Sequence, residues 1–194
     1  MPDALSAAAL AGGLSWASGI RLYMALFVAG WFSRMGWITL PQTLQVLESP
    51  WVMGVTGLLL IVEFLADKIP GVDSVWDAMQ TFIRIPAGAI LGAAAIGQMD
   101  PAWTTIAALL GGTIAAGAHF TKAGSRALIN TSPEPFSNWA ASFSEEAAVI
   151  GGLWAAFFHP WLLFAFLAAF FILALWLLPK LWRSLRWLFR KLSI

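Results

Sequence analysis

The chain has 194 residues, 60% of them hydrophobic and only 11% charged. A soluble domain carries roughly a quarter charged residues, and the mean hydropathy of +0.78 also argues against one. A net charge of +1 excludes the broad basic face that nucleic acid requires, and the lack of cysteine excludes disulfides, thiolate metal sites and cysteine nucleophiles.

The first residues do not read as a signal peptide. No positive n-region precedes the apolar stretch, and the first ionisable side chain is Asp3. Residues 1–16 are therefore taken as part of the mature chain. A bilayer span needs roughly 17–25 mostly apolar residues, and six segments meet that need. The first covers residues 15–32 and is interrupted by Arg21. The second covers 50–66, with Glu63 near its end. The third, 79–97, contains Arg84 and Pro86. The remaining three are 101–120, 139–158 and 161–178.

Short connections at Asp100-Pro101 and His159-Pro160 read as helical hairpins, because proline cannot continue a helix interior. The connections 67–78 and 121–138 are longer and polar. Beyond Pro179, Leu181, Trp182, Leu185, Leu188, Phe189 and Leu192 recur at helical spacing, and Lys180, Arg183, Arg186, Arg190 and Lys191 fill much of the rest. That pattern suits a short amphipathic helix on an anionic leaflet. The expected architecture is an all-α integral membrane protein. It has about six transmembrane helices arranged as repeated helical hairpins in one domain (residues 1–178), plus a C-terminal basic amphipathic helix (179–194).

Lysine and arginine are distributed unequally over the two faces this topology creates. Lys68, Lys122, Arg126 and the basic tail fall on one face and Arg34 alone on the other. The positive-inside bias then makes the polar loops and both termini cytoplasmic, in a multi-pass inner-membrane protein.

Two stretches resemble each other. Ile20-Arg21 and Ile83-Arg84 each open an apolar, small-residue-rich helix, and Asp67-Lys68 and Thr121-Lys122 each end the helix that follows. The unit is a hairpin plus a loop (15–78, 79–138), and Glu145-Glu146 opens a weaker third copy (139–178). Such copies are parallel repeats about an axis along the membrane normal. Gly88 and Gly92 on the third span and Gly111, Gly112 and Gly117 on the fourth suit close helix contact within one chain.

The polar residues fall into three groups. Arg21, Glu63 and Arg84 lie inside or close to the hydrocarbon, where charge is costly unless paired or facing a cavity. Glu63 is placed to pair with Arg21 or Arg84, against a plainer reading in which Arg84 snorkels to the head groups. The second group is Asp67, Lys68, Asp73 and Asp77. Asp73 suits an N-cap with Asp77 in the first turn; carboxylates at Asp67, Asp73 and Asp77 could together bind a cation, but they match no calcium-loop spacing. No metal and no cofactor is expected. The third group is Lys122, Arg126 and Asn130, four apart on one helical face, followed by Glu134 and Asn138. Two cations and an amide there suit a carboxylate or phosphate oxygen. The two histidines, His119 and His159, fall on opposite faces, and no serine elbow or phosphate loop is present.

The strings Ser18-Gly-Ile-Arg-Leu-Tyr23, Val62-Glu-Phe-Leu-Ala-Asp-Lys-Ile-Pro-Gly-Val-Asp-Ser-Val-Trp-Asp77 and Ile129-Asn-Thr-Ser-Pro-Glu-Pro-Phe-Ser-Asn-Trp139 carry a resemblance. Over roughly residues 14–160 the chain resembles an uncharacterised family of small bacterial integral membrane proteins, domain-of-unknown-function family 4126. The resemblance implies a bacterial inner-membrane protein and supplies no activity. From the residues, the first expectation is a transporter or channel-like permease. Its charged pocket opens to the cytoplasm and takes a small anionic solute or lipid phosphate. A non-transporting scaffold or lipid-binding protein is the alternative, and an enzyme acting on lipid head groups the third. The expected partners are the lipid bilayer and a small polar or anionic solute, with a homo-oligomer left open.

Overall fold

The computed structural model describes residues 4–69, 71–97, 99–131 and 136–192. Among these residues the chain is all helical. The helices are α1 (Ala4–Arg34), a 3-10 helix (Gln42–Glu48), α2 (Pro50–Ala66), α3 (Val72–Ile96), α4 (Pro101–Ile129), α5 (Phe136–Phe158) and α6 (Pro160–Leu192). Three stretches are long and apolar enough to cross a membrane: Val72–Ile96, Pro101–Ile129 and Pro160–Lys180. The 3-10 helix and α2, bent by 68° at their junction, make a fourth when taken as one broken span.

Local chemistry sets several boundaries. Asp100 caps α4, its side chain accepting from the Ala102 amide at 2.8 Å, and Pro101 takes the first helical position, where its missing N–H costs nothing. Gly71 turns the chain between α2 and α3 with φ of +87°, a conformation that a side chain disfavours. Asp73 is not the N-cap. That position belongs to Gly71, so Asp73 falls in the first turn of α3 and Asp77 in the second. The α6 helix runs through Pro179 to Leu192, so the basic tail continues the last helix and is not a separate element.

The core is α1, whose residues from Ala9 to Ala25 are all buried. It is not one straight rod. Arg21 leaves helical geometry (φ −146°, ψ 85°), and the chain doubles back there. Ser6, Ala7 and Leu10 from the first half line one cavity together with Trp37, Ile38 and Thr39, which follow the second half. Phe32 meets both Trp37 and Phe157. The halves 4–20 and 22–34 therefore form a hairpin whose tip is Arg21. At about 1.5 Å per residue, the halves are only about 25 and 20 Å long, less than a bilayer core of about 30 Å. The start of α1, the α3–α4 turn and the α5–α6 turn share one end of the bundle. The α2–α3 turn, the end of α4 and the start of α5 form the other. The expectation that 15–32 crosses once, which places both termini on one side, does not fit this course.

The glycine faces pack as the sequence suggests. A Cβ on Gly92 would stand 2.6 Å from the Ala107 carbonyl oxygen, and one on Gly111 2.7 Å from the Ser15 hydroxyl. Thus α3 and α4 lie backbone to backbone, with α1 against both; the Ser15 hydroxyl donates to the Gly88 carbonyl at 2.9 Å.

Candidate functional site

At the tip of the α1 hairpin the structure gathers most of the ionisable side chains into one cluster. The reversal at Arg21 leaves helical backbone carbonyls without their usual partners. In lipid such groups cost several kcal/mol unless the protein satisfies them. Lys122 on α4 does so, its Nζ lying 3.3 Å from the Ile20 carbonyl oxygen. The Arg21 guanidinium lies 2.7 Å from Asp67 Oδ2, 3.4 Å from Glu145 Oε2 and 3.5 Å from Glu146 Oε1. It also donates to the Ser142 hydroxyl at 2.8 Å.

Asp67, at the C-terminal end of α2, is the hub. Besides Arg21 it meets Lys122 at 3.2 Å and Arg126 at 3.6 Å, through the same Oδ2. Burial alone would raise its pKa, but Lys122, Arg21 and Arg126 together outweigh that and hold it below the usual carboxylate value. Lys68, next in sequence, turns outward to the rim. Its ammonium sits 2.9 Å over the Phe64 ring, and partial burial lowers its pKa.

Arg84, midway along α3, does not snorkel. It is fully buried, pairs with Glu63 of α2 through a short contact, and donates to Asp77 Oδ1 at 2.8 Å. Its other neighbour is His119 Nδ1 at 3.4 Å, and His119 Nε2 shares a hydrogen with the Thr81 hydroxyl at 2.6 Å. The face formed by Lys122, Arg126 and Asn130 is realised in full. Arg126 forks onto both oxygens of Glu145 at 2.8 and 3.0 Å and donates to the Asn138 side-chain oxygen at 3.1 Å. Asn130 donates to Asp73 Oδ2 at 2.8 Å and accepts from Asn138 at 2.7 Å.

Of the residues singled out in the sequence, Arg21, Glu63, Asp67, Asp73, Asp77, Arg84, Lys122, Arg126, Asn130 and Asn138 converge here. Lys68 is at the edge, and Glu134 lies outside the described residues. Glu145, Glu146, Ser142 and His119 complete the cluster. The acidic pair stands out in the sequence as two adjacent carboxylates in an otherwise apolar helix. Nothing in the sequence marks Ser142. His159 sits at the opposite end, against Trp154.

The cluster is closed. An open cytoplasmic pocket was the expectation. Instead Arg21, Arg84, Glu63 and Asp67 have no exposed surface, and Glu145 and Glu146 keep only 16% and 17% side-chain exposure. It is also under-bonded. Arg21 Nε and Nη1, Arg84 Nε, Glu63 Oε2, Asp67 Oδ1, Asp73 Oδ1 and Asp77 Oδ2 are buried without a protein hydrogen-bond partner.

The sequence matches the family described as Domain of unknown function (DUF4126) over residues 8–180. The chain belongs to that family. Neither a curated protein nor a solved structure matches it. The matched region takes in α1 from residue 8 onward, with its reversal, and every residue of the ion cluster.

Proposed function

We propose that this member of the family is a small inner-membrane permease for an anionic solute, seen with its charged site closed. The observation that carries the reading is the reversal of α1 at Arg21 inside a buried ion cluster. Non-helical backbone at membrane depth is tolerated where it is buried in protein or lines a cavity, and broken helices at ion and substrate sites are a recurrent transporter device. A protein that served only as a scaffold would gain little from burying four cations.

The chemistry follows from which carboxylates can move. Glu63, Asp67 and Asp77 are locked between helices, whereas Glu145 and Glu146 reach the cations from α5 at the rim. Their carboxylates stand where the carboxylate or phosphate of a solute would bind. An entering anion competes for Arg21, Lys122 and Arg126, which releases α5 and opens the site. The basic residues at this end, against Arg34 at the other, orient the cluster towards the cytoplasm. The course of the helices also suits repeats: 22–34 with α2, α3 with α4, and α5 with α6 each run away from the cluster end and return.

The test is uptake of radiolabelled carboxylates and phosphates into proteoliposomes. Arg21→Ala and Lys122→Ala are expected to abolish flux. Glu145→Gln, by freeing Arg126, is expected to tighten anion binding several-fold. Flux unchanged in both cation variants removes these residues from the mechanism and the permease reading with them.

A further inference from the structure

Asp67, Asp73 and Asp77 come from the end of α2 and the first two turns of α3. Asp73 and Asp77, four apart, share a helical face, and the tight turn at Gly71 folds Asp67 back beside them. One oxygen from each lies within 4.8 Å of the others. Oxygen ligands across a hard divalent ion at 2.3–2.6 Å stand about 4.6–5.2 Å apart, so these atoms can share one.

The hydrogen bonding supplies a second, independent observation. Each carboxylate commits one oxygen to protein donors: Asp67 Oδ2 to Arg21 and Lys122, Asp77 Oδ1 to Arg84, Asp73 Oδ2 to Asn130. Each leaves the other oxygen, Asp67 Oδ1, Asp77 Oδ2 and Asp73 Oδ1, buried and unpartnered. All three residues are at most 2% exposed. Charge points the same way. Among the described residues the cluster sets five cations against six carboxylates, and Asp73, held by a neutral amide, is the acid with no salt-bridge partner.

We propose that Asp67, Asp73 and Asp77 form a binding site for one hard divalent cation. The ion takes one oxygen from each carboxylate, and each carboxylate has an oxygen that no protein donor uses. Carboxylate oxygens select ions of the calcium, magnesium and manganese class over softer metals. The sequence spacing does not announce the site because the fold, not a loop motif, assembles it.

The experiment is a manganese titration of the detergent-purified full-length chain after chelator treatment. The electron paramagnetic resonance signal of free manganese reports uptake, at fixed ionic strength in sodium chloride. The proposal expects saturation at one ion per chain, displacement by calcium but not by added sodium, and at least about tenfold weaker binding in Asp73→Asn. Asp100→Asn, at the far end of the bundle, should bind as the wild type does. No uptake by about 1 mM manganese overturns the proposal, as does uptake that Asp73→Asn leaves unchanged or that sodium displaces. If Asp73→Asn does not fold, the wild-type stoichiometry and the ion order decide. Because the readout is binding without transport, its failure leaves the permease reading standing, and lost flux leaves the cation site standing.

Discussion

Asp67 shows how the cluster distributes its energetics. A single oxygen serves Arg21, Lys122 and Arg126, so Asp67→Asn leaves three buried cations short of an acid. Removing one partner of a buried ion pair costs about 3–5 kcal/mol, and Asp67→Asn is expected in or above that range. Thermal unfolding in detergent is the measurement. The same residue fixes a sign for pH. Its folded pKa is depressed below the 3.8 of an unperturbed aspartate, so its stabilisation is fully present above that value and is lost as pH falls through the lower, folded one. Lowering the pH from 7 to about 5 is therefore expected to leave the difference between wild type and Asp67→Asn unchanged, and the two should converge only at stronger acid. A difference that shrinks already at mild acidity would mean that the surrounding cations do not hold the carboxylate ionised.

Among the helices, the contact of α3 with α4 is the most exacting, because it is made by backbone. Gly92→Leu drives a side chain into the Ala107 carbonyl, and Gly111→Val meets the Ser15 hydroxyl and the Gly88 backbone. Overpacking of this kind costs about 1–3 kcal/mol. A Cβ on Gly54 or Gly151 meets nothing within 4 Å, so Gly54→Ala and Gly151→Ala should be neutral or stabilising by up to about 1 kcal/mol. Unfolding temperatures of the four variants check this ordering. These small-residue faces were legible in the sequence, as were the limits of α2 and the turns at Pro101 and Pro160, because apolar runs and prolines act locally. The ends of α3 and α4 at the cluster were not. Asp73, Asp77, Lys122 and Arg126 fall outside the apolar spans, since a charge ends an apolar run, even though their spacing suits helical turns. Once paired and buried, they lengthen the helices that carry them. The reversal of α1 was hidden for a related reason. Ile20-Arg21-Leu22 contains no glycine or proline to mark a break, and the contacts at Arg21 come from residues far along the chain.

For the molecule as a whole, that reversal has a consequence for topology. If residues 15–32 crossed the bilayer once, Ala4 would share a face with the α2–α3 turn and be cytoplasmic. The hairpin instead puts Ala4 with Trp37 and Met99, at the end opposite Ile69. All four positions are exposed, and the chain has no cysteine of its own, so single cysteines report cleanly. In spheroplasts treated with a membrane-impermeant maleimide, Ala4→Cys, Trp37→Cys and Met99→Cys are expected to label from outside. Ile69→Cys should label only after the membrane is opened. Trp37→Cys and Ile69→Cys test the orientation set by the basic residues, and Ala4→Cys tests the hairpin. Labelling of Ala4→Cys together with Ile69→Cys would restore a single crossing. It would also remove the reversal at Arg21 that brings the cation to its three acids.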